Sequence, residues 1–215
     1  MKNLLTALAF VLLAVSLACN SPYVPRERGY FRIDLPRRSY VAFDSAGFPF
    51  AFEYPVYGRI TRDSTLLDDN PDNPYWVNID FPDFNGRIHL SYKSIGGSSV
   101  YKVKAGDGYR DSVVRNTFDG LTGEAYRMTF KHTVKASGIS DSLFRTANGI
   151  SGVQFRVAGN AATASQFFVT DTVRHFLRGA LYFDATPNAD SLSVVIDFLE
   201  EDMRHLLRTL RWKNG

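Results

Sequence analysis

Two runs of alternating side chains, Trp76–Phe84 and Arg87–Lys93, flank the dipeptide Asn85-Gly86. Asn-Gly is the favoured centre of a type I′ turn, so the stretch predicts a β-hairpin. Centring the turn there pairs Phe84 with Arg87, Phe81 with Leu90, Asp80 with Ser91 and Ile79 with Tyr92. Ile79, Phe81, Ile88, Leu90 and Tyr92 then share a face that must be covered by other parts of the chain. The opposite face carries Asn78, Asp80, Arg87, His89, Ser91 and Lys93. A one-residue slip would exchange the two faces.

The remaining patterns supply the cover. Tyr30–Pro36 alternates Phe31, Ile33 and Leu35 against Arg32 and Asp34, which reads as a half-buried strand. Another strand spans the FPFAFEYPVYGRI stretch and breaks at Pro55. Asp63–Pro74 is acidic, rich in turn-formers and unpatterned, an exposed loop. Phe118, Leu121, Ala125, Met128 and His132 keep a 3-4-3-4 spacing, so a helix is expected within roughly 109–136, weakened by Gly120 and Gly123 at about 1 kcal/mol each. Gly106-Asp107-Gly108 reads as a turn. GVQFRVAG, ASQFFVTD and HFLRGALYF are three short strands, with His175, Leu177, Gly179, Leu181 and Phe183 on one face of the last. After Pro187 comes the strongest helix. Leu192, Val195, Ile196, Leu199, Met203, Leu206, Leu207 and Leu210 form one apolar stripe, Asn188 or Asp190 can cap its start, and Arg204, Arg208 and Arg211 suit its end. Glu200 is expected to face water. Clustered strands with two or more helices give an α+β chain, its sheet mainly antiparallel.

The N-terminus says where such a domain sits. Lys2 precedes an apolar run from Leu4 to Leu17, about fourteen residues long, within the range of a signal peptide and short of a membrane span. Ala18 stands directly before Cys19, the single cysteine of the chain. This resembles the lipobox of bacterial prolipoproteins, although leucine usually stands three residues before the cysteine and Ser16 does here. Residues 1–18 are therefore expected as a lipoprotein signal peptide, 19–28 as a lipidated tether and 29–215 as one α+β domain. Each buried methylene adds about 0.8 kcal/mol, so two or more acyl chains on Cys19 hold the protein stably at a membrane. Arg26, Arg28, Arg32, Arg37 and Arg38 lie close to that anchor and could meet anionic head groups or simply stay solvated. No acidic cluster of the kind that resembles a surface-export signal follows Cys19, which favours the periplasmic face of the outer membrane.

Composition excludes some classes of function. A formal charge of +3 is too small to argue for nucleic acid. The four histidines, His89, His132, His175 and His205, show no metal-ligand spacing, and the cysteine is committed to lipid, so no metal is expected. No nucleophile elbow, zincin, P-loop or dinucleotide motif occurs. The sharpest catalytic reading places Asp80, His89 and Ser91 together on the polar hairpin face as an envelope-acting hydrolase. A flat strand face offers no oxyanion hole, so a solvated or partner-binding face is preferred and no catalytic residue is assigned. His175 with Asp171 and Arg178 reads as strand-end residues that satisfy a turn, and His132 as a half-buried structural histidine.

Several segments together carry a family resemblance. RGYFRIDLP (Arg28–Pro36), FEYP (Phe52–Pro55), NIDFPDFNGRIHLSYK (Asn78–Lys93), KHTVKA (Lys131–Ala136), QFFVTDTVRHFLRGALYF (Gln166–Phe183), PNADSL (Pro187–Leu192) and the terminal HLLRTLRW are similar to the GldD family of gliding-motility lipoproteins of Bacteroidota. The resemblance implies a lipoprotein required for gliding and associated with type IX protein secretion. It implies no enzymatic activity, no cofactor beyond the covalent lipid on Cys19, and partners among other gliding-motility or type IX secretion proteins. The order of elements is also similar to the PsbP/Mog1 type of sandwich. Eight polar positions recur in the family resemblance although packing does not dictate them: Asn78, Asp80, Arg87, His89, Ser91, Lys93, Arg178 and Tyr182. They are the expected partner surface. The alternative is that the arm Arg28–Pro36 covers this face and satisfies it within the chain.

Overall fold

The computed structural model describes residues 33–62, 75–184 and 189–213, with side chains unassigned at 189–191. The signal peptide, Cys19, the tether, the acidic loop Asp63–Pro74 and the capping positions Asn188 and Asp190 lie outside these described side chains. From Asp34 onward the chain forms one compact unit. No described helix is long and apolar enough to cross a membrane.

Twelve strands are described: β1 (Tyr40–Phe43), β2 (Phe50–Pro55), β3 (Arg59–Thr61), β4 (Val77–Phe81), β5 (Gly86–Ser94), β6 (Ser98–Ala105), β7 (Gly108–Arg115), β8 (Ala136–Arg145), β9 (Ser151–Gly159), β10 (Thr163–Thr170), β11 (His175–Phe183) and β12 (Arg211–Trp212). Helix α1 covers Phe118–Phe130 and helix α2 covers Ala189–Thr209. A seven-stranded sheet runs β3-β4-β5-β11-β10-β9-β8, a three-stranded sheet runs β1-β2-β12, and β6-β7 stand as a separate hairpin. Every pairing is antiparallel. The chain is thus α+β with mainly antiparallel sheets, as the patterns predict.

The large sheet is covered on both faces. Against one pack α2 and the small sheet. Ile79, Phe81, Ile88, Leu90, Leu177 and Leu181 meet Phe50 and Phe52 of the small sheet and Leu199, Met203 and Leu206 of α2. Against the other face packs α1, whose Leu121 and Ala125 sit on Val153, Phe155, Phe168 and Phe176. Successive residues of one strand serve opposite cores, Phe167 the first and Phe168 the second, as period-two geometry requires. Gly179 allows the first core to close, because a Cβ there would lie 2.3 Å from the Phe167 ring.

The hairpin keeps its predicted faces but not its turn. Pro82 cannot donate to a strand ladder, and Pro82–Phe84 instead form a 3-10 turn. Asn85 follows in the left-handed region at φ 47°, ψ 35°. Phe81 therefore pairs with Gly86, Asp80 with Arg87, and Asn78 with His89. The displacement is even, so every side chain stays on its expected face while Asp80 no longer opposes Ser91.

Other boundaries move for physical reasons. Residues 33–36 form no strand, and Ile33 and Leu35 are each 39% exposed. The chain continues instead into Arg38, whose guanidinium lies 4.3 Å over Phe198 and donates to the Phe198 carbonyl at 3.1 Å. Tyr109–Arg115 are strand rather than helix, turned at Gly106 (φ +59°) in the predicted GDG turn. Helix α1 starts one residue past Thr117, whose hydroxyl accepts the Gly120 N–H at 3.1 Å. Gly120 suits that cap, since a Cβ would stand 2.9 Å from the same oxygen.

Helix α2 carries its stripe as predicted, with Leu199, Met203 and Leu206 buried, and Leu210, one residue past its end, is buried with them. Its acidic side differs. Glu200 is 1% exposed rather than facing water, and burial raises its pKa against the opposing pull of Arg156 and Arg204. Asp202 is buried as well and gathers Tyr40 (2.9 Å), Tyr57 (2.5 Å) and Arg38 (3.3 Å). Burial and Asp202 push the Tyr40 phenol up to about 12.

Candidate functional site

The polar face of β4, β5 and β11 lies on the same side of the large sheet as α1. The apolar side of that helix packs on β9, β10 and part of β11, where the sheet presents Phe155, Phe168 and Phe176. Beyond it the polar strands are left as one wall of a cleft of about 520 Å³. Asn78, His89, Ser91 and Lys93 form its floor, Arg178 and Tyr182 continue it on β11, and Leu121, Glu124 and Met128 of α1 face them. This is a size typical of ligand sites.

Six of the eight predicted surface residues thus come together: Asn78, His89, Ser91, Lys93, Arg178 and Tyr182. The strand register explains it, since Ser91 pairs with Arg178 and His89 with both Asn78 and Ala180. Asp80 and Arg87 fall outside the cleft. They bond each other, and Thr61 Oγ1 donates to Asp80 at 2.6 Å. A triad of Asp80, His89 and Ser91 is therefore not assembled. His89 Nδ1 lies 2.8 Å from Asn78 Oδ1, and its ring meets Tyr182 edge-on at 5.5 Å.

Much of the wall is satisfied within the chain. Lys93 Nζ contacts both Glu124 oxygens, at 2.9 and 3.2 Å, and donates to Tyr101 at 2.8 Å. Tyr101 in turn donates to Glu124 at 3.1 Å. The described part of the arm, Ile33–Pro36, leads into Arg38, which docks on α2 behind the sheet. Arg28–Arg32 lie outside the described residues.

Arg178 is different. It donates to Gln166 Oε1 at 2.5 Å, an oxygen that Thr129 also approaches at 3.1 Å. Its Nε is closed from solvent and has no acceptor. Burial lowers its pKa, opposed by Tyr182 and Glu124, yet a guanidinium keeps its charge. Trp76 Nε1, on the same cleft, is likewise buried without an acceptor. Burial and Arg178 lower the pKa of His132, which stands edge-on to Tyr182.

Sequence reasoning missed Trp76, Tyr101 and Glu124. Trp76 was within reach, two residues before Asn78 on the same strand face. Tyr101 and Glu124 were not, because their approach depends on how the β6-β7 hairpin and α1 fold over the sheet. His175 sits on the opposite face, 2.7 Å from the Tyr92 hydroxyl and stacked on Trp212 at 4.9 Å. Asp171 satisfies the turn as expected, accepting the N–H groups of Val173, Arg174 and His175 at 3.0, 2.8 and 2.8 Å. Among the described residues no group of three or more His, Cys, Asp or Glu is placed to hold a metal ion.

Comparison with known proteins adds two likenesses. The family model for the gliding motility lipoprotein GldD matches residues 20–212. The solution structure of cyanobacterial PsbP (CyanoP) from Synechocystis sp. PCC 6803 is similar at 10% identity and a TM-score of 0.43, over 85% of this chain and 98% of that one. No curated protein matches the chain.

Proposed function

Because the chain belongs to the gliding motility lipoprotein GldD family, we propose that it is a non-catalytic binding or assembly factor of the motility and type IX secretion machinery. Membership carries a lipid anchor in the cell envelope and a part in gliding. In our reading the anchor is Cys19, the membrane is the outer one, and the domain hangs on its periplasmic side. The partner contact is the cleft beside α1. One observation carries this choice: six polar residues converge on a cleft that α1 borders but does not fill. A hydrolase reading lacks comparable support, since Asp80 is bound to Arg87 and Thr61 away from the cleft.

The test combines His89→Ala, Ser91→Ala and Tyr182→Ala in one chain and measures melting temperature, gliding and secretion. The expected result is a folded protein with near-normal melting that no longer supports gliding or secretion. Normal gliding and secretion would remove the cleft from function. A loss of several kcal/mol in stability would make these residues an internal network instead.

A further inference from the structure

The charges of the cleft do not balance. It is lined by two cations, Lys93 and Arg178, and by one carboxylate, Glu124. Lys93 takes that carboxylate at 2.9 Å, with Tyr101 completing the pair. Arg178 has only the neutral Gln166 oxygen at 2.5 Å and the hydroxyl of Tyr182 beside it. No carboxylate among the described residues forms an ion pair with it.

A mostly buried cation without a counter-ion destabilises its own fold, and its potential acts across the low-dielectric walls of the cleft. The unpartnered groups are also of one kind. Trp76 Nε1 and Arg178 Nε are both N–H donors, so the complement they require is an acceptor. Apolar side chains border these groups, Leu121 and Met128 on α1 across the cleft and Phe176 and Ala180 on either side of Arg178 along β11.

From this we infer that the cleft holds one carboxylate of a partner protein's peptide segment, paired with Arg178 and flanked by apolar side chains. The inference rests on the cleft being the partner site. One uncompensated positive charge matches a monoanion, and a planar guanidinium matches a carboxylate. Neither orphan nitrogen reaches solvent as the side chains stand, so pairing draws the guanidinium a short way towards the cleft. The carboxylate can be an acidic side chain or a chain terminus.

Calorimetric titration of the full lipidated protein in detergent micelles tests this with three peptides: acetyl-Leu-Phe as the free acid, the same peptide as its amide, and acetyl-Leu-Glu-Phe-amide. At least one carboxylate-bearing peptide should bind roughly 10- to 100-fold more tightly than the uncharged amide. Preference for the first acid points to a chain terminus, and preference for the glutamate peptide to a side chain; either supports the inference. Arg178→Met should erase the preference while melting no lower than the wild type. Equal binding of charged and uncharged peptides, binding of none, or a preference that survives in Arg178→Met would overturn it. The wild-type comparison alone decides the matter if that variant does not fold. Should Arg178→Met glide normally while the triple alanine variant does not, the carboxylate falls and the partner cleft stands.

Discussion

Single residues in this chain show how neighbours set the behaviour of a charge. Asp171 is partly buried, which alone would raise its pKa, but three backbone N–H donors lower it below the usual carboxylate value. A lowered carboxylate contributes stability above its unfolded pKa, about 3.9, and loses that contribution as pH falls through the folded value. Asp171→Asn should therefore reduce stability at pH 7 by about 1 kcal/mol or less, given its exposure to solvent. The difference should shrink below about pH 4, a trend that denaturant titrations across pH 2–7 would reveal. A constant difference across that range would mean the charge is irrelevant to the turn. Glu200 runs the other way. Its pKa is raised by burial, so its contribution is fully present below the unfolded value and fades as pH rises through the folded one.

At the scale of elements, α2 holds the first core together. Leu206 is buried in that core, whereas Val194 on the same helix is 52% exposed. Leu206→Ala should cost about 2–5 kcal/mol, the transfer and cavity cost of a buried leucine. Val194→Ala should change stability by less than about 0.5 kcal/mol. Chemical denaturation of both variants checks the pair, and similar losses would contradict the packing. The β4–β5 connection teaches a different lesson. Asn85-Gly86 correctly marked a reversal of the chain, but Pro82 converted a two-residue turn into a 3-10 turn and displaced the register. Local turn propensity located the connection; proline chemistry set its length.

Within the described unit the large sheet carries two unequal covers. The α2 side is sealed by a helix and a second sheet, and the α1 side is sealed only over its phenylalanines. The cleft exists because one thirteen-residue helix cannot span seven strands. A domain of this kind acts where its anchor puts it. Cys19→Ala should leave the precursor unprocessed or shift the protein from the membrane to the soluble envelope fraction, read by fractionation and immunoblotting. Protease added to intact wild-type cells should leave the domain uncut if it faces the periplasm, and digestion would place it on the cell surface instead.

Periodicity in the sequence determined which side chains share a face. Ile79, Phe81, Ile88 and Leu90 went inward and Asn78, His89, Ser91 and Lys93 to the other side, and an even register shift could not alter that. The stripe of α2 and the strands β9, β10 and β11 were legible for the same reason, because period 3.6 and period 2 are local properties. The tertiary structure decided what covers each face. The burial of Glu200 and Asp202 depends on β9 and on residues of the Arg38–Tyr57 segment, far away in sequence. Tyr109–Arg115 became strand because it pairs with β6 in a hairpin of its own. The polar face became a cleft rather than an open surface because α1 and β6 stop beside it, and Arg178 was left without a carboxylate because Glu124 reached Lys93 first. Such outcomes are set by contacts between distant segments, which no local pattern encodes.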